Sequence, residues 1–375
     1  MAGSIRKRGN KYQVIVELGR DVNGKRLRRY FTANSEAEAR KILIEQEYLL
    51  QQNSFVIPSD MTFGEFLNYW YDNYVKIKNE ETTQAEYRRI LDKYIIPKLG
   101  HIKLQKLMPY HIQSYYKYLM EEVGLSPNTV YRHHANIRKA LDYALKQKFV
   151  SVNVADAVEL PKKIEFKSNV YTPKQLNELL NKAKDTYLEV PIALAAYLGL
   201  RRSEIVGLKW RHIDLDKRVV YIQEVRVRSY DKIVTKAPKT QKSRRALYIP
   251  EGLYKILKRW KEKQEYYKTL FGDKYVESDY VCTYFDGTPI KPDKLSRRFK
   301  EFIEKNNFPP IRLHDLRHSF ATALFRNRVP IKNISEALGH ANPMTTFNFY
   351  AYVIDEINKE VTTTMDNLLN NQEEE

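Results

Sequence analysis

The chain has 375 residues, 43% of them hydrophobic, which is long enough for two or three domains that each bury a core. Its 64 Lys and Arg against 46 Asp and Glu give a net charge of +18, which indicates a polyanionic partner, most simply nucleic acid. The single cysteine, Cys282, excludes a disulfide framework and cysteine-based metal sites, and the lack of a signal peptide or long apolar run predicts a cytoplasmic protein without a membrane partner.

Residues 1–55 predict a small sheet followed by one helix. Alternating residues in "KYQVIVEL" (11–18) and "KRLRRYFT" (25–32) indicate two strands joined by a turn that contains Asn-Gly. "SIRKRG" just before them is a candidate third strand at the edge of the sheet. A helix is expected over residues 35–52, where a serine precedes the apolar pattern as a helix cap.

This first unit is strongly basic. Its first 30 residues contain nine Lys and Arg against two acidic residues, a local net charge of +7. A small sheet with a basic face can lie in the major groove of DNA. The candidate DNA contacts here are Arg6, Lys7, Arg8, Arg26, Arg28 and Arg29. The alternative is a basic edge that is only solvated.

Residues 61–158 predict an all-helical domain. Apolar residues recur at three- and four-residue steps in four stretches: 62–75, 82–99, 108–123 and 126–148. The polar face of the last helix carries Arg132 and Lys139, which are further candidate DNA contacts, although a solvated helix face has the same pattern. Residues 159–172, with prolines near both ends and no period, are predicted to be an interdomain linker.

Residues 173–353 predict a mixed, mainly helical α+β domain. Helices over 173–184 and 190–207 precede strands over 218–225 and 244–250. Further helices are expected over 251–268, 293–306, 314–327 and 331–338. The predicted fold class is therefore multidomain: a small basic sheet with a helix, an all-α domain, and an α+β domain.

Four short stretches of this last domain contain the residue types needed to bind a phosphate and to attack it. They are "GLRRSE", "PKTQKSRR", "LHDLRHSFAT" and "ALGHANPMTTFNFYAYV". Arginine and lysine stabilise the charge that develops on a phosphodiester during transfer, tyrosine can attack it, and lysine or histidine can protonate the leaving hydroxyl. The candidate catalytic residues are Arg201, Lys239, His314, Arg317, His340 and Tyr350, with Glu204 and His318 in support. This chemistry needs no metal and no cofactor.

One motif allows a second interpretation. His314 and His318 stand four residues apart, the spacing with which two imidazoles bind zinc from one helix. Arg317 lies between them and would repel a divalent cation, and Asp315 stands where a zinc protease carries its glutamate. The motif therefore favours an anion held by His314 and Arg317, with His318 as a supporting or packing residue.

In this order the four stretches resemble the catalytic motifs of the tyrosine recombinase, or phage integrase, family, and the similarity covers residues 171–353. The resemblance implies that Arg201 is the first catalytic arginine with Glu204 beside it, that Lys239 is the β-hairpin lysine, and that His314 and Arg317 form the His-x-x-Arg box. It also implies that His340 is the second catalytic histidine and that Tyr350 is the nucleophile. The family commonly has histidine two residues after the nucleophile, and this chain has Tyr352 at that position. Tyr352 is therefore a rival nucleophile.

The resemblance also assigns the domains. Residues 1–55 are similar to the arm-binding domain of integrases from Gram-positive temperate phages and conjugative transposons, 61–158 to the core-binding domain, and 173–353 to the catalytic domain. Residues 354–375 are expected to form a helix that couples protomers, followed by an acidic tail. The implied partners are double-stranded DNA at core and arm sites, three further copies of the chain in a tetramer on DNA, and an accessory DNA-bending or directionality protein.

The implied function is site-specific recombination of a mobile element in a bacterial cell, through a covalent 3′-phosphotyrosine and without metal or ATP. Three alternatives share part of the pattern: a type IB topoisomerase-like relaxing enzyme, a DNA-binding regulator that has lost catalysis, and a metal-dependent nuclease.

Overall fold

The computed structural model describes residues 3–20, 26–51, 56, 59–164, 169–238 and 243–340, with six isolated positions between 342 and 369. The chain divides into two compact units, Met1–Glu165 and Phe166–Glu375. None of the helices within these ranges is long and apolar enough to cross a membrane.

The first unit begins with a three-stranded antiparallel sheet in the order β1-β2-β3. Its elements are β1 (Gly3–Arg8), β2 (Lys11–Arg20), β3 (Arg26–Ala33) and the helix α1 (Glu36–Gln51). The predicted edge strand is present as β1. Val14 and Val16 on one face of the sheet pack against Ala39 of α1. The opposite face, which α1 does not cover, is called the open face.

The rest of the first unit is helical, as predicted. Its elements are α2 (Phe63–Trp70), a π-helical turn (Tyr71–Val75), α3 (Lys76–Lys78), α4 (Glu81–Ile90), a second π-helical turn (Leu91–Ile95), α5 (Ile96–Leu99), a 3₁₀ turn (Leu104–Lys106), α6 (Pro109–Glu121), α7 (Pro127–Lys146) and a last 3₁₀ turn (Val154–Ala157). Thr62 and Glu65 form a reciprocal cap that starts α2, and a proline at the first position starts α6 and α7.

Two tyrosine–histidine pairs join α6 to α7. The hydroxyl of Tyr115 lies 2.7 Å from Nδ1 of His133, and that of Tyr116 lies 2.8 Å from Nδ1 of His134. His133 is buried, and burial lowers its pKa from 6.5 to about 4, so the ring is neutral at pH 7.

The second unit combines a helical core with two small antiparallel sheets, ordered β4-β5-β8 and β6-β7. Its helices are α8 (Pro173–Ala183), α9 (Glu189–Leu198), α10 (Arg202–Ile205), α11 (Glu251–Phe271), α12 (Pro292–Lys305), α13 (Leu313–Arg326) and α14 (Ile331–Leu338), with 3₁₀ turns at Trp210–His212 and Gly272–Lys274. Its strands are β4 (Ile213–Asp214), β5 (Val219–Ile222), β6 (Val225–Ser229), β7 (Lys232–Lys236) and β8 (Arg245–Tyr248).

Helix α9 is the centre of this unit. Nearly all its residues are buried, and α8, α11 and α13 pack around it. A helix that is apolar on all sides must be enclosed by other elements. Its C-terminal end therefore lies inside the domain, where polar groups from several elements meet.

Two predictions about elements of this unit are wrong. The single helix predicted over 190–207 is two helices, because Gly199 has the left-handed conformation (φ 60°) and ends α9, and α10 starts anew after Arg201. The strand predicted over 218–225 ends at Ile222, and the chain then forms the unpredicted β6–β7 hairpin. The hairpin turns at Tyr230 (φ 49°), a bulky residue that gives no turn signal.

Candidate active site

The C-terminal ends of two helices, α9 and α14, provide backbone carbonyls of the site. Gly199 ends α9 and Gly339 ends α14, both with left-handed backbone (φ 60° and 63°). A Cβ atom at Gly199 would lie 2.6 Å from the ring of Phe320, and one at Gly339 would lie 2.8 Å from Nη1 of Arg245. Both positions therefore need glycine for conformation and for space.

Arg201 caps the start of α10 and reaches the end of α14. Glu204 accepts hydrogen bonds from its backbone N–H at 2.9 Å and from Nη1 at 2.8 Å, and the Gly339 carbonyl accepts one from Nη2 at 3.0 Å. The side chain is 31% exposed. Within the described ranges these contacts use two of the five guanidinium N–H groups. Arg201 and Glu204 meet as predicted, at the start of α10.

Arg317 is fixed from three directions. It is 2% exposed on α13, and its Nη1 donates to the Gly199 carbonyl at 2.7 Å. Its Nη2 donates to the Leu338 carbonyl at 2.7 Å and lies 2.8 Å from Nε2 of His340. Arginine has no acceptor, so Nε2 of His340 accepts and the proton of this neutral ring is on Nδ1. The structure thus brings two of the predicted residues, Arg317 and His340, into direct contact.

His340 follows Gly339 at the end of α14 and is electrically neutral. Burial, followed by the positive charges of Arg317, Arg201 and Arg245, lowers its pKa from 6.5 to about 4. At pH 7 the ring can therefore exchange hydrogen bonds without adding charge to the site.

Sequence reasoning missed Arg245, the first residue of β8. Its Nη1 and Nη2 donate to the two carboxylate oxygens of Glu204 at 3.2 and 3.0 Å, and its Nε donates to the Ala337 carbonyl at 2.7 Å. Burial alone would raise the pKa of Glu204, but the ion pairs with Arg245 and Arg201 outweigh burial and lower it. No spacing in the sequence joins Arg245 to Glu204; the only signal is its place at the end of the "PKTQKSRR" stretch.

The two histidines of α13 differ in environment. His314 is exposed in the first turn, His318 is 8% exposed, and their rings meet edge to face with centroids 5.1 Å apart. Asp315 between them is buried and accepts hydrogen bonds from Arg312 at 2.9 and 2.6 Å. Among the described residues, no group of three His, Cys, Asp or Glu side chains could hold a metal ion.

Several predicted residues lie outside the described residues. They are Lys239, Tyr350, the rival Tyr352 and nearly all of the predicted coupling segment 354–375. In the chain, Lys239 falls between β7 and β8, and Tyr350 follows His340 by ten residues. Their roles remain predictions.

The basic residues of the first sheet divide between its two faces. Strand register places Arg6, Arg8, Arg26 and Arg28 on the open face, where Glu17 pairs with Arg28 at 3.1 Å and with Arg26 at 3.8 Å. Lys7 and Arg29 lie on the face that carries α1, against the rings of Tyr12 and Phe31 at 6.0 and 4.6 Å. The open face therefore presents four of the six predicted contacts.

The two predicted contacts on α7 also differ. Arg132 is exposed. Lys139 is half-buried and donates to the Tyr87 hydroxyl at 3.0 Å, next to the ring of Tyr74. Arg132 is the more accessible of the two to a DNA backbone.

Comparisons with known proteins decide the family. The model of the phage integrase family matches residues 169–356, and that of the phage integrase N-terminal SAM-like domain matches residues 62–120. The chain belongs to the phage integrase family. The recognition made from the four motifs is thereby confirmed, and this integrase is a site-specific tyrosine recombinase.

Two relatives of this integrase match it over nearly their whole length. It is 30% identical over 381 residues to a tyrosine recombinase XerC-like protein of Caldanaerobacter subterraneus subsp. tengcongensis, covering 95% of this chain and 96% of the relative. It is 28% identical to the ICEBs1 integrase of Bacillus subtilis, covering 98% of this chain and 100% of the relative.

The fold of this integrase is also found in a solved structure. The Tn1549 transposon integrase, in complex with a circular intermediate DNA, superposes with a TM-score of 0.68 at 18% identity. The match covers 80% of this chain and 99% of that one. The predicted tyrosine recombinase fold class is confirmed.

Proposed function

We propose that this integrase cuts and rejoins double-stranded DNA at the ends of a mobile element, with Tyr350 as nucleophile and the Arg201–Arg317–His340 cluster as phosphate site. One observation carries the proposal: guanidinium groups from two separate segments converge on the last turn of α14, next to His340. With Arg245 and Glu204 the cluster has three arginines against one carboxylate, a net positive charge that suits a phosphate anion.

Arg201 and Arg317 have different roles in binding a phosphodiester. Arg201, whose side chain is partly exposed, binds a non-bridging oxygen directly. Arg317 is held by three contacts before DNA arrives, so little reorganisation is needed when charge develops in the transition state. His340 completes the site as a neutral hydrogen-bonding group.

The proposed chemistry exchanges one phosphate ester for another. The Tyr350 oxygen attacks the scissile phosphorus, the bond from phosphorus to the 5′ oxygen breaks, and a 3′-phosphotyrosine forms. His314 accepts the tyrosine proton, and Lys239 donates a proton to the leaving 5′ oxygen. The 5′-hydroxyl of the partner strand then attacks the phosphotyrosine and releases Tyr350. The number of phosphoester bonds is unchanged, so no ATP is needed.

The assembly follows from the chemistry. Exchange between two duplexes cuts four strands, and each chain supplies one Tyr350, so four copies act together. Residues 61–158 and 173–353 bind the core site, and the open basic face of the first sheet binds a separate arm site. The place of action is the bacterial cytoplasm, on nucleoid DNA, with an accessory DNA-bending or directionality protein as a further partner.

A nicked suicide substrate tests this function. A duplex that carries the element's own end loses a short fragment after cleavage, which traps the covalent protein–DNA adduct. We expect an adduct that survives detergent, forms in EDTA, and leaves a free 5′-hydroxyl on the DNA. A dependence on divalent metal would favour the nuclease, and equal relaxation of plasmids with and without the element end would favour the topoisomerase.

A further inference from the structure

The last three residues of the α14 turn each bind a different arginine. The carbonyl of Ala337 accepts from Arg245 Nε at 2.7 Å, that of Leu338 from Arg317 Nη2 at 2.7 Å, and that of Gly339 from Arg201 Nη2 at 3.0 Å. Carbonyls at a helix C-terminus lack partners in their own helix and carry partial negative charge. The end of α14 is thus a platform that aligns three guanidinium groups.

The three arginines differ in what they can offer DNA. Arg245 has a side chain that is 7% exposed, and its donors go to Glu204, to Ala337 and to the Ser243 carbonyl at 3.2 Å. A guanidinium enclosed in this way does not touch a substrate phosphate. Its effect must pass through the groups that it holds.

Two contacts link Arg245 to the proposed phosphate site. The first is Glu204, whose carboxylate is shared between Arg245 and Arg201. Without Arg245, both carboxylate oxygens would be left to Arg201, which would hold that guanidinium back from DNA and lower its effective charge. The cluster would fall from three arginines and one glutamate, a net +2, to a net +1.

The second contact is the packing of the Arg245 guanidinium on Gly339. Nη1, Cζ and Cδ of Arg245 lie 2.8, 3.2 and 3.3 Å from where a Cβ atom of residue 339 would be. Gly339 immediately precedes His340, and its carbonyl holds Arg201. Arg245 therefore sets the position of the backbone from which both groups are presented.

We propose that Arg245 is a positioning residue for strand cleavage, which sets the orientation of Arg201 and His340 without contacting DNA. The inference rests on the proposed catalytic roles of those two residues and adds to them a residue that ends the second motif, "PKTQKSRR", but was given no role there. It predicts that Arg245 affects the rate of the chemical step and not the affinity for DNA.

Single-turnover cleavage of the suicide substrate at saturating DNA tests the proposal with three variants. Arg245→Gln should cleave about 100-fold more slowly than the unchanged chain, the size of effect seen when one preorganised donor is lost, with DNA affinity unchanged within about twofold. Arg245→Lys keeps the charge but not the planar fork, and should recover part of the rate. Arg259→Gln is the matched control, since Arg259 pairs with the buried Glu189 in the same unit.

The outcomes separate positioning from stability. The control should lose stability in urea but cleave at the unchanged rate once folded and saturated. The proposal is overturned if Arg245→Gln cleaves normally, if it slows no more than Arg259→Gln, or if its defect disappears at high DNA concentration. If Arg245→Gln does not fold, Arg245→Lys decides: a normal rate overturns the proposal, and a reduced rate at unchanged affinity supports it. Failure of the unchanged chain to form any adduct would instead reject the proposed function.

Discussion

Replacing Glu204 by glutamine is the most informative test of the buried charge network. The carboxylate accepts four hydrogen bonds: from the backbone N–H and Nη1 of Arg201 at 2.9 and 2.8 Å, and from Nη1 and Nη2 of Arg245 at 3.2 and 3.0 Å. Glutamine has the same shape, but its NH₂ group cannot accept, so two of these bonds and the negative charge are lost. Removing one partner of a buried ion pair costs about 3–5 kcal/mol, because the remaining charge stays buried and uncompensated.

The measurement is urea unfolding in a Trp70→Phe background. The chain has three tryptophans, and after this change the remaining two, Trp210 and Trp260, both report on the second unit. We expect Glu204→Gln to reduce the free energy of unfolding of that unit by about 3–5 kcal/mol at pH 7. Because the ion pairs lower the pKa of Glu204, the difference should persist at neutral pH and shrink only as acid protonates the carboxylate of the unchanged chain.

An exposed ion pair provides the control. Glu251 pairs with Arg218 at 2.7 Å on the surface of the same unit, and Glu251→Gln should cost at most about 1 kcal/mol. If Glu204→Gln costs no more than this control, the buried network does not stabilise the domain as reasoned here.

Three further predictions address catalysis, pH and DNA binding. Arg201→Ala and Arg317→Ala should each slow single-turnover cleavage by 10²–10³, about 3–4 kcal/mol, and a loss confined to affinity would make them ordinary phosphate contacts. Burial lowers the pKa of His133 to about 4, so the free energy of unfolding of the first unit should fall by up to about 3 kcal/mol as pH falls from 6.5 to 4. Trp70 fluorescence in a chain with Trp210→Phe and Trp260→Phe measures this; His133→Gln should remove most of the pH dependence, and an unchanged pH dependence would assign it to other groups. Removal of residues 1–55 should leave cleavage of a short core duplex intact but abolish integration on full-length ends, and full integration by the shortened chain would reject the arm site. DNA binding by the intact chain should weaken steeply as the salt concentration rises.

The motifs predicted which residues form the site, but not the helix ends that position them. Arg201, Arg317 and His340 were identified from short local patterns, and the structure brings them together. The break at Gly199 was missed because the apolar pattern runs through it, and only the left-handed backbone shows that Arg201 starts a new helix.

Arg245 could not be found by spacing, because its partners Glu204 and Ala337 are distant in sequence. The basic sheet gives a related lesson. Counting charge identified the unit, but the strand register was needed to place Lys7 and Arg29 on the face opposite Arg6 and Arg28. Composition gives the net charge of a segment, but only the alternation of side chains along paired strands shows on which face of the sheet each charged side chain lies.

The identity of the nucleophile tests the central claim most directly. The adduct trapped on the suicide substrate can be digested with protease and nuclease, and the peptide that carries the nucleotide located by mass spectrometry. We predict that the nucleotide is on Tyr350, that Tyr350→Phe binds the duplex but forms no adduct, and that the matched control Tyr352→Phe still forms it. A nucleotide on Tyr352, or an adduct formed by Tyr350→Phe and lost in Tyr352→Phe, would contradict the account.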